Sequence, residues 1–489
     1  MDTELMQEFK EWIRQQDSSH TTIEEIGNVI FFKTAYAKAE IHFYDMNIVE
    51  FNILSLKNEE SEFYLHFQLN DMVHAKELFT EMMNTLIHIT ENQVIKVLLC
   101  CSSALTTSYF CEQLNKASEI LTLKYQFEAV SYNKVYQKGL FYDIILLAPQ
   151  IGFEEKKIHN AMKEIPIFTI PASIYGKYDT GRLIRLVEKT LKEHKPQPTK
   201  REVVSAKIDN TAKILCIGIF NSSRTIRLIY RYYRNGKIIT NGEVKKPKIQ
   251  ISDVMDIIET MIALYPEIEC IGLTMPGIAK LGTIHLPDAG IVYENVSKEI
   301  FEKYHRICVV SNDCNQVAYG ISAIEEKYQN IIYNFQPYGK SIGGAGIIIN
   351  GALIRGKEHG AGELPSLQNN LKLSDDIEKL AKTADGTYEI VAKTIACEIA
   401  LLAPEAIYIH SAMAPDIEHL KELVRTLVSP QVMPDLYYIN DTRDYMMIGT
   451  VLKSIEQLER YRQGLFMDDY YPERKKKSNI MIYYSKNMI

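Results

Sequence analysis

A pair of cysteines ends an apolar run in the stretch VLLCCSSALTTS, residues 97–108, and small or hydroxyl-bearing residues follow them. A loop of small residues between a strand and a helix points backbone N–H groups inward, and the helix N-terminus adds about half a positive charge. Such a loop stabilises a thiolate or a phosphate, so Cys101 is a candidate nucleophile. The hydroxyl groups that could donate hydrogen bonds to a bound oxyanion are those of Ser102, Ser103, Thr106, Thr107 and Ser108.

Cys101 also has a competing interpretation, because buried cysteines that only pack are common. Its neighbour Cys100 is predicted to point into the sheet as a core thiol of that kind. One catalytic alternative is disfavoured: the C-x5-R pattern of low-molecular-weight phosphatases requires an arginine where this sequence has Thr107. Nucleophile and packing residue therefore remain alternatives for Cys101.

The elements around Cys101 indicate why it would be accessible to a ligand. Apolar runs IKVLLC, YQFEAVS, DIILLAP and IPIFTIP alternate with polar or helical stretches through residues 93–195. Short buried strands separated by helices predict a parallel sheet with helices on both faces. Ligands of such sheets bind at the carboxyl ends of the strands, and Cys101 stands at one of those ends.

Three blocks in this segment resemble a known family. CSSALTTS, DIILLAPQI and IPIFTIPASIYGKYDTGRL, in this order, are similar to the lactose/cellobiose class IIB subunits of the bacterial phosphoenolpyruvate-dependent sugar phosphotransferase system. The resemblance implies that Cys101 is a phosphocysteine, which takes phosphate from a histidine of a IIA partner and passes it to sugar held by a membrane IIC. The sequence departs from the family loop at Ala104 and Leu105, where the family has glycine and methionine.

Composition and periodicity divide the whole chain into five segments. Residues 1–92 read as a small α+β unit without a recognisable chemical motif, and 93–195 form the parallel-sheet domain. A linker rich in proline and charge at 196–207 precedes a long strand and helix alternation at 208–465. Residues 466–489 are a basic, tyrosine-rich tail.

The 208–465 segment resembles the ROK family, named for repressors, open reading frames and sugar kinases. The stretches that carry this resemblance are GLTMPGIAKLGTIHLP, VVSNDCNQVAYG and SIGGAGIIINGALIRGKEHGAGE. The implied fold is the duplicated ribonuclease-H-like fold of sugar kinases and actin. The resemblance implies that Asp313 is the general base for a sugar hydroxyl and that Asn312 and Glu363 hold hydroxyls. Gly344 and Gly346 would be what remains of the nucleotide loops.

Other positions depart from the ROK pattern. The family's first phosphate loop reads D-I-G-G-T, whereas the aligned run here is GIFNSS, with Gly218 where the acid should be. The adenine-side glycines are replaced by the run His410-Ser411-Ala412, and Ser366 stands where the family has a histidine shared between sugar and zinc. We therefore expect neither MgATP binding nor a zinc or other metal site. A structural alternative for Asp313 is that it caps the N-terminus of the following helix.

Composition narrows the classes of protein further. With 489 residues, 46% hydrophobic and 24% charged, the chain fits a multidomain soluble protein, and no apolar run is long enough to span a membrane. A net charge of −7 disfavours general nucleic-acid binding. Eight scattered cysteines indicate free thiols and a cytoplasmic location.

The predicted fold class is α/β: an N-terminal α+β unit, a four-stranded parallel-sheet IIB-like domain, and an actin/hexokinase-type ROK domain. The favoured function is a cytoplasmic phosphotransferase-system protein whose IIB-like domain carries phosphate on Cys101 and whose ROK domain binds a sugar or sugar phosphate without turnover. Its expected partners are a IIA-type phosphohistidine protein and a membrane IIC, and homodimerisation is left open. The alternatives are an active ATP-dependent ROK sugar kinase and a regulatory scaffold in which neither site acts.

Overall fold

The structure is a computed structural model. It describes residues 4–16, 21–56, 60–91, 94–102, 105–193, 204–221, 226–277, 284–286, 291–293 and 295–464. Ser103, residues 196–203 of the predicted linker and the predicted tail at 466–489 lie outside the described residues. Within the described part, none of the helices combines the length and the apolar character that crossing a lipid bilayer demands.

The N-terminal part of the chain is an antiparallel meander covered by two helices. Its elements are α1 (Glu4–Arg14), β1 (Thr22–Ile26), β2 (Val29–Lys33), β3 (Ala37–Tyr44), β4 (Ile48–Ser55), β5 (Ser61–Gln68) and α2 (Met72–Glu91). Alternate residues of β3 are buried, as expected for a sheet with one covered face. Phe9 of α1 and Met82 of α2 share one apolar cluster with the buried residues of these strands.

The middle domain is the four-stranded parallel sheet that the sequence predicts. Its elements are β6 (Ile95–Cys101), α3 (Leu105–Ile120), β7 (Tyr125–Ser131), α4 (Val135–Lys138), β8 (Ile144–Leu147), α5 (Glu155–Ala161), β9 (Ile167–Thr169), α6 (Ala172–Tyr175) and α7 (Thr180–Glu193). The strand order is β7-β6-β8-β9, and all neighbours are parallel. Residues of α3 and α7 pack on one face and residues of α4 and α5 on the other.

The first subdomain of the remaining chain is built on a sheet that includes the N-terminal meander. Its own elements are β10 (Lys213–Asn221), β11 (Ile226–Arg234), β12 (Lys237–Lys246), α8 (Ile251–Leu264), β13 (Cys270–Met275), β14 (Ile284–Leu286), β15 (Ile291–Tyr293), α9 (Val296–Tyr304) and β16 (Ile307–Asn312). Apart from β14 and β15, which pair with each other, the strands form a ten-stranded sheet in the order β1-β2-β3-β4-β5-β12-β11-β10-β13-β16. Strands β5 and β12 meet where Lys245 pairs with Tyr64, so the meander covers the edge that β12 would otherwise expose.

The second subdomain is built on a five-stranded sheet of order β19-β18-β17-β20-β21. Its elements are α10 (Asp313–Ile324), β17 (Ile331–Phe335), β18 (Gly344–Ile349), β19 (Ala352–Leu353), α11 (Pro365–Gln368), α12 (Ile377–Leu380), α13 (Ala384–Leu402), β20 (Ala406–His410), α14 (Ile417–Arg425), β21 (Asp435–Tyr438) and α15 (Arg443–Arg462).

Helices α10 and α15 pack against each other between the two sheets, and glycine sets how closely they approach. A Cβ at Gly320 of α10 would lie 1.9 Å from the carbonyl oxygen of Tyr445, and one at Gly449 of α15 would lie 1.9 Å from that of Gln316. Two sheets related through such a helix pair are the predicted duplicated ribonuclease-H-like arrangement.

Candidate functional sites

Cys101 occupies the predicted position at the carboxyl end of a central strand. It is the last residue of β6 and pairs with Ser131 of β7. The adjacent Cys100 accepts a hydrogen bond from the Ala148 N–H (2.8 Å), which extends the pairing with β8. Cys100 is fully buried among core residues, and burial raises the pKa of its thiol to about 12. Cys100 is therefore the inert packing thiol that the sequence predicts.

The Cys101 sulfur is not displayed to solvent. Cys101 is 0% exposed, and its Sγ lies 3.1 Å from the hydroxyl oxygen of Thr107, which is also fully buried. The open anion pocket inferred from the sequence is thus closed over the sulfur in this conformation. Cys101 nevertheless has a polar neighbour from the first turn of α3, so hydrocarbon alone does not surround it.

The remaining predicted phosphate ligands divide into three groups. Ser102 and Ser108 are exposed. Thr106 is exposed as well, but its hydroxyl lies 3.0 Å from the Tyr175 hydroxyl at the end of α6. Ser103 is outside the described residues. Of the described hydroxyl groups, that of Thr107 lies beside the sulfur, and the sequence analysis missed the contribution of Tyr175.

Residues far away in sequence help to cover the Cys101 end of the middle domain. The apolar cluster that contains Cys101 also contains Ala384 and Met413 of the second subdomain, and Tyr338 packs against it. The Tyr338 hydroxyl donates to the carbonyl oxygen of Tyr136 at 2.9 Å. Tyr338 follows β17, and Met413 follows β20. The middle domain therefore lies at the carboxyl ends of these strands of the five-stranded sheet.

Two polar contacts reinforce this interface. Lys157 of α5 forms an ion pair with Asp385 at the start of α13. The Lys163 ammonium donates to the side-chain oxygen of Asn440, just after β21, at 3.3 Å. The contacts join the middle domain to the segment that follows β21 and to the first turn of α13.

A side chain at the position that would carry the family's nucleotide-side acid would require the Met446 side chain to move. Gly218 lies within β10, and a Cβ there would be 2.3 Å from the Cε of Met446 on α15. Phe220, two residues later, packs against the apolar cluster that contains Met446. An apolar contact therefore occupies the place where a phosphate loop would begin, which does not favour MgATP binding.

The predicted adenine-side segment is also closed by protein groups. His410 ends β20, and its ring stacks on Phe335 with the centroids 5.5 Å apart. Its Nδ1 lies 2.8 Å from the carbonyl oxygen of Ile439, and burial lowers the pKa of His410. A neutral histidine that binds backbone and an aromatic ring is a packing residue here.

Gly344 and Gly346, predicted as a nucleotide-loop remnant, serve packing in the structure. Both lie in β18, where the strand crosses α10. A Cβ at Gly346 would be 2.2 Å from the carbonyl oxygen of Cys314, and one at Gly344 would be 3.0 Å from the Cys314 sulfur. Close strand-to-helix contact is sufficient to explain why glycine is required at Gly346.

The Asn312–Asp313 turn begins helix α10. Asn312, not Asp313, is the N-cap of α10: its side-chain oxygen accepts from the Asn315 N–H at 2.9 Å, while its amide donates to the Gly277 carbonyl oxygen at 2.9 Å. The capping role considered for Asp313 is therefore off by one residue. The Asn312 side chain is committed to the backbone, which does not favour its predicted contact with a sugar hydroxyl.

Asp313 has the properties expected of a group that meets a ligand. Burial raises its pKa to about 6, the Cys314 N–H that donates to it at 2.8 Å opposes the rise, and the negative charge of Glu363 adds to it. Burial also raises the pKa of Glu363, whose backbone bridges to Gly344. Two carboxylates held near each other can accept hydrogen bonds from sugar hydroxyls, and the pKa of Asp313 is close to that of a useful general base.

The described residues contain no group of three or more His, Cys, Asp or Glu side chains that could hold a metal ion.

Comparisons with known families assign both parts of the chain. Residues 96–185 match the model of the PTS system lactose/cellobiose-specific IIB subunit, and residues 225–372 match that of the ROK family. The chain carries a IIB-type domain and a ROK domain, and the two resemblances inferred from the sequence are confirmed.

Solved structures similar to the chain include members of both groups. A ROK hexokinase from Thermus thermophilus is 15% identical with a TM-score of 0.40, covering 50% of this chain and 99% of that one. A ROK family glucokinase from Streptomyces griseus, solved with glucose and AMPPNP, is 14% identical with a TM-score of 0.37 and coverage of 50% and 100%. The cellobiose-specific phosphotransferase IIB component from Borrelia burgdorferi is 24% identical with a TM-score of 0.19 and coverage of 20% and 93%.

Proposed function

We propose that the protein is a cytoplasmic component of a sugar phosphotransferase system in which phosphorylation of Cys101 is coupled to sugar binding by the ROK domain. The observation that carries the proposal is the apolar cluster that contains Cys101 of the IIB-type domain together with Ala384 and Met413 of the ROK domain. This shared cluster supports a coupling between the two domains. All eight cysteines are free, as expected in a reducing compartment.

The chemical step is a phosphoryl transfer between two protein side chains. The Cys101 thiolate attacks the phosphorus of a phosphohistidine on a IIA-type partner. The S–P bond forms as the N–P bond breaks, and the imidazole nitrogen keeps the bonding electron pair. The thiol proton leaves to solvent or to the released imidazole. The phosphoryl group would then pass from sulfur to a sugar hydroxyl held by a membrane IIC, or it would remain on Cys101 as a signal.

Burial of Cys101 provides a mechanism for the proposed coupling between phosphorylation and sugar binding. A donor protein cannot reach a sulfur that is 0% exposed, so the groups that cover Cys101 must move before transfer. Residues of the ROK domain, including Tyr338, help to cover this end of the IIB-type domain. A sugar that binds better when the ROK domain uncovers Cys101 therefore increases the reactivity of Cys101. A phosphoryl group that stabilises the same uncovered arrangement increases the affinity for that sugar.

The ROK domain would bind sugar at the Asp313 turn without transferring phosphate from ATP. Support comes from the Met446 side chain that lies against Gly218 and from the stack of His410 on Phe335. Asp313 and Glu363 supply acceptors for sugar hydroxyls. An active sugar kinase is the second candidate, because the pKa of Asp313, about 6, suits a general base.

The proposal is tested by supplying phosphoenolpyruvate, the general phosphotransferase enzymes and a set of IIA proteins to the full chain. We expect phosphate to be incorporated into the wild type and into Cys397→Ser, a control thiol on α13, but not into Cys101→Ser. A scaffold gives no incorporation with any IIA protein. A kinase instead consumes ATP with a hexose and loses that activity on Asp313→Asn, whether or not Cys101 is present.

Gel filtration coupled to light scattering will determine whether the chain forms the homodimer left open by its sequence.

A further inference from the structure

A polar cleft lies between the two subdomains, beside the first turn of α10. Its lining includes Asn315 and Gln316 of α10, Arg355 and His359 from the segment after β19, and Lys453 and Gln457 of α15. The cleft has an interior volume of about 20 Å³, enough for a small polar group, and it is open to solvent on one side. The first subdomain contributes to it as well, through Asn312 and neighbouring residues of β16.

Two buried carboxamides in this cleft lack partners. Asn315 is 7% exposed and Gln316 is 2% exposed. Among the described residues, nothing donates a hydrogen bond to the side-chain oxygen of either one. Leaving a buried polar group unpaired costs about 1–3 kcal/mol, so such groups usually have a partner. The oxygen and nitrogen ends of each carboxamide are interchangeable by rotation, so each can present either an acceptor or two donors to a ligand.

Positive charge in the cleft exceeds negative charge. No carboxylate of the described residues lies within 4.0 Å of the Arg355 guanidinium, and Arg355 is only partly buried. Lys453 is 7% exposed and forms an ion pair with Glu456 at 2.7 Å. Burial lowers the pKa of Lys453, and the charges of Arg355 and Arg460 lower it further. Among the described residues, the lining thus contains the two cations Arg355 and Lys453, and one glutamate pairs with Lys453, which leaves a local excess of positive charge.

We propose that this cleft binds a phosphate dianion or a phosphate monoester such as a sugar phosphate. Arg355 is suited to bind two phosphate oxygens at once, and Lys453 supplies a second charge. The carboxamides of Asn315 and Gln316 donate to the remaining oxygens or accept from a sugar hydroxyl. The ligand would touch β16 of the first subdomain, and α15 and the segment after β19 of the second subdomain. It would therefore hold the two subdomains together. Binding of phosphate in this cleft requires neither phosphorylation of Cys101 nor a sugar bound at Asp313.

The test is isothermal titration of the full chain at low ionic strength with inorganic phosphate, glucose 6-phosphate and glucose. We expect the phosphate-bearing probes to bind and their affinity to fall as salt is added. Tighter binding of glucose 6-phosphate identifies a sugar phosphate site, and equal binding identifies a site for free phosphate. Arg355→Gln should weaken both by at least tenfold, whereas the same change at the exposed Arg425 of α14 should have no effect.

Gln316→Leu provides an independent variant, because it removes the carboxamide at similar volume. It should weaken phosphate binding by about tenfold and raise the Tm of the protein without ligand, since one of the two buried carboxamide oxygens without a partner is then removed. The proposal is overturned if neither phosphate probe binds the wild type at millimolar concentration, or if Arg355→Gln binds both probes as tightly as the wild type does.

Discussion

Replacing the carboxylate of Asp313 by an amide should make the protein more stable, although Asp313 is a candidate ligand-binding residue. Burial raises the pKa of Asp313 from its ordinary value of 3.8 to about 6. At about 1.4 kcal/mol for each pH unit, this rise corresponds to a cost of about 3 kcal/mol for keeping the group ionised above pH 6. Asp313→Asn removes the charge, and its side-chain oxygen can still accept from the Cys314 N–H.

The sign of the pH dependence follows from the raised pKa. Between pH 3.8 and about 6 the folded protein holds a proton that the unfolded chain has released. The stability of the wild type therefore falls as pH rises through this window, and the cost is fully present above it. The advantage of Asp313→Asn should approach about 3 kcal/mol at pH 8 and decline toward zero as pH falls to about 4.

Urea unfolding of the wild type and Asp313→Asn at pH values from 4.5 to 8 measures this difference. Asp209→Asn, at an exposed aspartate before β10, is the matched control and should follow the wild type at every pH. If Asp313→Asn is no more stable than the wild type at pH 8, or if its advantage does not change with pH, the reasoning about burial of Asp313 is wrong. A gain in stability with a loss of sugar binding is the pattern expected of a functional site.

Three further substitutions test the packing that positions the sites. Tyr338→Phe removes a hydrogen bond worth about 1 kcal/mol at the interface between the domains, so alkylation of Cys101 should become about fivefold faster in peptide-resolved mass spectrometry. Gly346→Ala places a Cβ 2.2 Å from a carbonyl oxygen of α10 and should cost about 1–3 kcal/mol in urea unfolding. Lys246→Met leaves the buried carboxylate of Asp253 without its cation and should cost about 3–5 kcal/mol in the same assay.

Each substitution has a control elsewhere in the chain. Tyr437→Phe also removes a hydroxyl, but far from Cys101, and should leave the alkylation rate unchanged. Gly181→Ala adds a Cβ that meets nothing closer than 4.0 Å in α7 and should be tolerated. Lys116→Met breaks only an exposed ion pair of α3 and should change stability by less than about 1 kcal/mol. Equal effects in a test variant and its control would contradict the packing argument for that site.

Local sequence patterns were sufficient to predict the middle domain. Its strands are short apolar runs separated by helical stretches, so their parallel arrangement and the place of Cys101 at a strand end follow from nearby residues alone. The IIB-type and ROK assignments likewise depend on contiguous motifs, and the family comparisons confirm them.

Contacts between distant parts of the chain were not predictable in the same way. The pairing of β5 with β12 joins residues such as Tyr64 and Lys245, and neither strand's pattern indicates a partner so far away. The apolar cluster that contains Cys101 also contains Met413, which is more than three hundred positions later in the chain. The helix cap was misplaced by one residue because asparagine and aspartate are both good N-caps and stand side by side.

The most direct measurement of the central claim is to locate the phosphoryl group after phosphorylated IIA protein has been mixed with the full chain. Peptide mass spectrometry at neutral to alkaline pH should find it on Cys101 and nowhere else in the chain, and addition of the sugar that binds the ROK domain should change the rate of its appearance. Phosphate on another residue, or none on Cys101 with any IIA protein and with or without sugar, would contradict the account.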